Sequence, residues 1–573
     1  MKIEKFININ WYMERKPYQI SSETDVFYLK ICRDLFKIID TLTSEYEDVY
    51  MDEEDCREMA YIFTAYFEDQ ATEIGFWKSL TELHKKQFGK RLPFFDASIL
   101  QQQEEDWGDI LPADIHYLGY ISYLNILTNT EDDPIILFNT LFFIELTEKV
   151  FNYLEKNEEV LIPDFYESFL LPESDYIDFK KQLDWFTYQS YLTGMEFSHK
   201  LDDFMLKLVD GETDPSLMQP LLYTERDRLM FEVPSRLTAI FPADILAGAM
   251  HCNEEKKQEI RNLKWRPHGL FHIRFETATH YRFLHTSTDE EFDVLKNSLN
   301  NPIDCIKNEY WITTLADWNN DYNVSGLCSV SPYKGEKIYH YNLKMQHRFQ
   351  KHYGKYREHI EETALKYRNE AQRFLGNDLI VFDTGYQLQE KLNEFNQWYF
   401  DVVADKSGLP KGSKPVMFDL PQEIVNQAGV ALFIPPADGL QFITNHQLIL
   451  DLLQTKEVDV VTVEQRGSLL TMLSDDTVGP DYWFYLKKNF PIPNLSLFLK
   501  CPVDNEMDFD ALLRIYRPED FSPLKLPRFS TFTSEKISHE TARKIFSKEK
   551  VRGKIIFKRM VLKNKVKNQN IAF

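Results

Sequence analysis

The feature that most constrains this chain is a change of hydrophobic period near residue 263. Before it, apolar residues recur every three or four positions; from about 263 to 333 they alternate with polar ones. A helix buries one stripe at a period of 3.6, whereas a strand buries one face at a period of 2. No single kind of element satisfies both patterns. The chain therefore reads as a multi-domain α+β protein, and 573 residues at roughly 150 per domain allow three or four domains.

Helices are expected over the first half. After "RKPYQ", Ser21 and Ser22 offer N-caps with Asp25 in the first turn, and Phe27, Ile31, Leu35 and Ile38 follow at helical spacing. "EEDCREMAYIFTAYFEDQATEIGFWKSLTELHKKQF" continues the pattern to Gly89, and "FFIELTEKVFNYLEK" adds an amphipathic helix. A further helical run ends at the turn Asp210-Gly211. Five short strands then follow, in "FHIRF", "YRFL", "EFDVL", "YWITTLADW" and "NVSGLCSV", which predicts a small β-barrel or rolled sheet.

Residues 336–376 read as one long helix with an apolar stripe through Phe349, Tyr353, Tyr356, Ile360, Tyr367, Ala371 and Phe374. "NDLIVFDTGYQLQEKLNEFNQWY" and "GVALFIPPADGLQFITNHQLILDLL" each read strand, turn, helix. The expected organisation is a helical domain over 1–160 and its helical continuation over 161–262. A small β-barrel-like domain over 263–333, a long helix over 334–376 and an α/β domain over 377–515 come next. A linker and basic tail complete it over 516–573.

"HGLFHIRFETATHYRFLH", residues 268–285, holds four of the fourteen histidines and poses the question of a metal site. If Phe271, Ile273 and Phe275 face inward, a three-residue turn at Thr277–Thr279 pairs Phe275 with Tyr281, Ile273 with Phe283 and Phe271 with His285. His272 and His280 then sit about four residues apart, roughly 13 Å at ~3.3 Å per residue. His285 falls on the opposite face. Zinc needs its nitrogen ligands about 2.0–2.1 Å from one centre, so no metal is expected there. The same register sets Arg274 against Arg282, a like-charge pair that a second hairpin would relieve by placing Asp293 beside Arg282.

Charge is unevenly spread. The net is −24, yet residues 541–573 hold eleven Lys or Arg against Glu549 alone, a net of +10 that leaves −34 on the other 540 residues. Three groups of cations are candidates for an anion or nucleic-acid contact: Lys264, Arg266, Arg274 and Arg282 in the β-domain; Lys344, Arg348, Lys351 and Lys355 along the long helix; and Arg552, Lys554, Lys558, Arg559, Lys563 and Lys565 in the tail. Each has a plainer explanation as a solvated face or a seam against the acidic remainder. The tail interleaves its cations with Ile555, Ile556, Phe557, Met560, Val561 and Leu562. It suits docking on the acidic body, nucleic acid, or a partner or anionic membrane surface.

Catalytic templates fail on inspection. "GLPKGSKP" has three residues between Gly408 and Gly412 and a proline at 415, where a phosphate-binding loop needs four residues and a following helix. Pro163-Asp164 and Asp178-Phe179-Lys180 carry the letters of a metal-dependent nuclease, but the second group reads as helical. Glu68, Asp69, His84, Asp114, His116, Glu145 and Glu148 could supply a helical metal site, yet the repeated Glu-x-x-His of di-metal bundles is missing. The six cysteines show no short pair, which points to a reduced, cytoplasmic setting. The longest apolar run, from Ile135, is too short to span a bilayer.

The motifs "NWYMERKPYQISSETDVFYLKIC" and "YFEDQATEIGFWKSLTELHKKQFGKRLPFF" resemble an uncharacterised bacterial family, domain of unknown function 3843. "GLFHIRFETATHYRFLHTSTDEEFDV", "GVALFIPPADGL" and "LLRIYRPEDF" are similar to later parts of it, which extends the resemblance over most of residues 1–522. The resemblance implies no activity. The leading expectation is a non-catalytic intracellular interaction or scaffold protein with a protein partner, no cofactor and no metal. The alternative is a nucleic-acid-associated protein using the basic tail; an enzyme with an unrecognised site comes third.

Overall fold

The computed structural model describes residues 7–94, 110–127, 140–299, 310–331, 357–403, 412–454, 472–473, 478–490, 506–525 and 530–532. Positions 48, 158, 159, 164, 212, 287 and 416 are excepted. The chain divides into two compact units. The first comprises residues 1–126, 138–360 and 510–526; the second comprises 127–137, 361–509 and 527–573.

The first unit opens with helices α1 (Ile9–Met13), α2 (Glu23–Thr43), α3 (Glu53–Thr72), α4 (Phe76–Phe88), α5 (Pro112–Leu127) and α6 (Leu141–Leu154). It continues with α7 (Phe165–Phe169), α8 (Tyr176–Gln189), α9 (Gly194–Asp210), α10 (Pro215–Glu232), α11 (Pro242–Ala249) and α12 (Glu254–Asn262). Helix α2 starts where Ser22 and Asp25 cap one another, as the sequence predicts. Its buried face runs through Tyr28, Ile31, Cys32, Leu35, Ile39 and Leu42, while Phe27 and Ile38 lie only at its margin.

The period change falls where expected. Strands β1 (His268–Glu276), β2 (His280–His285), β3 (Glu291–Leu295), β4 (Tyr310–Trp318) and β5 (Asp321–Val330) close in the order β1-β2-β3-β5-β4. All pairs are antiparallel except β3 with β5, which meet in parallel at Val294 and Tyr322. This is the connectivity of an OB-type barrel. Asn319 and Asn320, both with positive φ, form the two-residue turn between β4 and β5, a conformation that asparagine tolerates. Phe271, Tyr281, Phe283, Phe292, Val294 and Leu315 fill the interior.

The β1–β2 register holds from Phe271↔His285 to Ile273↔Phe283 and then departs from expectation. A bulge at Arg274 moves Phe275 opposite Arg282 and Glu276 opposite Tyr281. Phe275 is consequently 51% exposed rather than inward. The like-charge pair never forms. The β2–β3 pairs Phe283↔Phe292 and Arg282↔Asp293 are those expected.

In the second unit, α13 (Arg357–Leu375, counted here from Glu361) precedes β6 (Leu379–Thr384) and α14 (Gly385–Trp398). Tyr367, Ala371 and Phe374 of the expected helical stripe pack on Leu388, Leu392 and Phe395; the stripe's earlier positions up to Tyr356 lie outside the described residues. "GVALFIPPADGLQFITNHQLILDLL" holds one strand more than the sequence reading allowed. It forms the hairpin β7 (Ala428–Phe433) and β8 (Leu440–Ile443) before helix α16 (His446–Gln454), with the short α15 (Gln422–Val425) ahead of it. Pro435 and Pro436 sit in the hairpin connection rather than at a strand-to-helix turn. Helix α17 (Pro480–Asn489) follows, and β9 (Ser530–Phe532) adds in parallel to β8, giving the order β6-β7-β8-β9. Helix α18 (Glu506–Tyr516) contributes Asp510 onward to the first unit.

Candidate interaction sites

The four histidines of residues 268–285 do not converge on one centre: the His272 ring lies 5.3 Å from that of Tyr310, and His285 meets the His268 backbone. His268 Nδ1 meets Thr314 Oγ1 at 2.7 Å, and His280 lies between Thr279 Oγ1 and Asp321 Oδ1 at 2.8 and 3.1 Å. His285 is enclosed, with Nδ1 3.1 Å from Thr288 Oγ1, and burial lowers its pKa to about 4. Gly269 makes room for that ring: a Cβ there would lie 2.4 Å from His285 Nε2. Among the described residues no group of three or more His, Cys, Asp or Glu side chains is arranged to hold a metal.

The β-domain cations are tied to carboxylates. Lys264 bonds both oxygens of Asp244 at 3.0 and 2.8 Å. Arg266 is 2% exposed; its Nη1 donates to Asp227 Oδ2 at 2.6 Å and to Ser325 Oγ at 2.7 Å, and its Nη2 to Glu232 Oε1 at 3.0 Å. Lys180 holds the other Asp227 oxygen at 2.6 Å, and Tyr176 donates to Ser325 at 2.7 Å. Burial would raise the Asp227 carboxyl, but Arg266 and Lys180 drive it well below the usual carboxylate range. This knot fastens α8 and α10 to the barrel, and Arg266, which also borders the cavity described next, has its guanidinium committed to Asp227, Glu232 and Ser325. Arg282 stands at the rim with one guanidinium edge, Nε and Nη2, on the two oxygens of Asp293 and its Nη1 donating to Glu291 at 3.1 Å, stacked 5.1 Å from the Phe275 ring. Arg274 is exposed on the bulge. The candidate cations Lys344, Arg348, Lys351 and Lys355, and all six of the tail, lie outside the described residues.

A cavity of about 630 Å³ opens between α12 and the barrel, walled by Glu255, Glu259, Trp265, Asp317 and Tyr322. Burial, together with Glu259 and Asp321, raises the Asp317 carboxyl. Its lining sets Glu255, Glu259 and Asp317 beside the already paired Arg266, a balance of charge that does not favour a polyanion.

The other candidate groups disperse. Asp178 pairs with Lys181 while Lys180 points to Asp227, so these two letters of the nuclease pattern are engaged elsewhere; Asp164 lies outside the described residues. Glu68 is buried against Lys16, and Asp69 accepts from the N–H groups of Gly75, Phe76 and Trp77 at the start of α4. Asp114 takes Arg91, Tyr66 and Trp77, and His116 meets Thr147 Oγ1 at 3.1 Å. His84 faces Arg514 Nη1 at 3.0 Å. These are fasteners within the helical layer.

A second cavity, of about 490 Å³, is lined mainly by apolar side chains, with Gln19, Ser22 and Thr24 among them, and went unremarked in the sequence. Tyr18 forms one wall. Its ring lies 4.5 Å from that of Phe165, and its hydroxyl donates to Asp25 Oδ1 at 2.7 Å, the carboxylate that also caps α2. The short link between Tyr18 and that cap leaves Ile20 86% exposed. Opposite, Tyr28 Oη donates to the Leu161 carbonyl at 3.1 Å and fixes the segment that presents Ile162, 70% exposed, and Pro163. The only sequence signal was "VLIP" outside any periodic element, which composition cannot separate from a buried loop.

Residues 7–266 match the model of a family described as a protein of unknown function, DUF3843. The resemblance carried by the opening motifs therefore holds over the helical layer, which ends at Arg266. The motifs quoted from the barrel onward fall outside the matched residues. No curated protein and no solved structure matches the chain.

Proposed function

We propose that this protein is a non-catalytic interaction or scaffold protein that receives a protein partner on the apolar groove between Tyr18 and Ile162. The observation that carries the reading is the exposure of Ile20 and Ile162, 86% and 70%, on the two walls of one cavity. Isolated exposed apolar residues are ordinary, but two flanking a formed groove mark a surface for another protein. A cytoplasmic setting agrees with the free Cys32, Cys56, Cys252 and Cys328. Among the described residues no helix is long and apolar enough to cross a membrane.

The alternative, nucleic-acid association, draws support only from the tail. On the barrel, Arg282 is paired with two carboxylates and the neighbouring cavity is acidic. The test is affinity purification of the full chain beside its Ile20→Glu, Ile162→Glu variant. A stoichiometric protein captured by the first and lost from the second supports the groove. A partner retained equally by both, or co-purifying nucleic acid released by salt with no groove-dependent protein, overturns it.

A further inference from the structure

Among the described residues, strand β6 ends the sheet of the second unit and pairs only with β7. The bond from the Ile434 N–H to the Asp378 carbonyl sets the alternation of that ladder. Backbone groups of Ile380 and Phe382 turn toward β7, and those of Leu379, Val381 and Asp383 turn away. The Asp383 N–H donates to Gln387 Oε1 at 3.1 Å. Among the described residues no strand faces Leu379 and Val381, and Val381 is 48% exposed. Edge strands are usually guarded by lysine, proline or a bulge. This one, "LIVFDT", has none of them, and its flanking charges are Asp378 and Asp383.

We propose that Lys554–Arg559 of the same chain add to β6 as a further strand of this sheet. That sequence, "KIIFKR", lies outside the described residues. Laid antiparallel on Asp378–Asp383, it sets Arg559 against Asp378 and Lys554 against Asp383, with Phe557 beside Ile380 and Ile556 beside Val381. Opposite charges at both ends and the aromatic and branched residues of Ile555–Phe557 between them are cross-strand pairs that stabilise a sheet, and Lys558 falls opposite Leu379. A parallel alignment sets the same two aspartates against the same two cations. Reach is ample. Phe532 ends β9 at the opposite edge, three strand spacings or about 14 Å from β6, and residues 533–553 extend to about 70 Å. The net +10 of residues 541–573 against −34 elsewhere adds long-range attraction. This inference does not depend on the groove.

Hydrogen exchange of the full chain, read at the Leu379 and Val381 amides by fragmentation mass spectrometry, tests it. Both amides are expected to exchange at least about tenfold more slowly than in the Ile556→Pro chain, whose proline cannot donate to β6. Asp378→Lys with Asp383→Lys should release them to the same extent, and adding Lys554→Asp with Arg559→Asp should restore protection. The Ile380 and Phe382 amides, bonded to β7, should stay protected in every variant, which separates loss of docking from unfolding. Equal exchange in the full and Ile556→Pro chains overturns the proposal. So does protection that follows protein concentration, the mark of a second copy on the edge, and so does a charge swap that restores nothing.

Discussion

Arg266 and Arg282 belong to one stretch of chain, each faces two carboxylates, and the structure uses them in opposite ways. Arg266 is sealed at the root of the barrel, and its partners Asp227 and Glu232 come from helix α10. Arg282 lies at the rim, with 29% side-chain exposure, and its partners Asp293 and Glu291 come from the neighbouring strand. Water solvates the rim pair when it opens. At the root, an opened pair leaves a charge in a low-dielectric interior with nothing to replace its partner. Depth rather than partner count separates a fastener from a surface decoration.

The largest expected effect tests that difference directly. Asp227→Ala would leave Arg266 and Lys180 buried without their shared carboxylate, and should cost about 3–5 kcal/mol in urea unfolding. Arg266→Met leaves Asp227 with Lys180 and the Ser325 hydroxyl but also takes the guanidinium from the buried Glu232, so it too should cost far more than any substitution at the rim. A loss under about 1 kcal/mol for Asp227→Ala would erase the distinction between root and rim.

Next in size is a steric effect inside the barrel. Gly269→Ala drives a methyl to 2.4 Å from His285 Nε2. The expected cost is about 1–3 kcal/mol, as for other overpacked cores. Thermal denaturation in a His285→Ala background should show much of that penalty removed, since the two residues share one space.

These two sites also mark how far the sequence could be read. The period change and the pairs Ile273↔Phe283 and Arg282↔Asp293 were legible because each is set by neighbours within a hairpin, whereas the expected three-residue turn gives way to one closed by Thr277 and His280. The Arg274 bulge was not, because alternation carries no mark of an inserted residue and "FHIRFE" alternates without a break. The knot around Asp227 joins residues 176, 180, 227, 266 and 325, a convergence that only packing of helices on the barrel creates. The groove was missed for a related reason. Ile20 and Ile162 are 142 positions apart, and neither lies in a periodic element. Where a function is carried by an apolar surface rather than by titratable side chains, the sequence offers no spacing to recognise.

A smaller effect distinguishes the two sites by pH. The folded pKa of His285 is lowered to about 4 against about 6.5 unfolded, so between those values the unfolded chain binds a proton that the folded one refuses. Stability should therefore fall as pH drops from about 6.5 toward 4, by at most about 1.4 kcal/mol per pH unit from this residue. Asp227 acts in the other window. Its folded pKa is depressed, so its contribution is complete above the unfolded carboxylate value of about 4 and is lost only in stronger acid. His285→Gln should reduce the slope between pH 6.5 and 5 while leaving acid unfolding below pH 4 in place; an unchanged slope would show that His285 is not the refusing group.

The smallest expected effect is the most informative about function. Arg282→Ala should leave stability nearly unchanged, because an exposed pair gains little over its hydrated parts. Its consequence lies instead in charge. Removing Arg282 frees Asp293 and Glu291 beside the exposed Phe275 and makes the rim more acidic. If the barrel face contributes to nucleic-acid binding, affinity for single-stranded DNA at low salt must drop and its salt dependence must weaken by about one phosphate contact. If the carboxylates already cancel that cation, both stay where they were. Measuring the salt slope for the full chain and for Arg282→Ala therefore decides whether the rim arginine serves a ligand or only its neighbours, and the bidentate pair of bonds to Asp293 favours the neighbours.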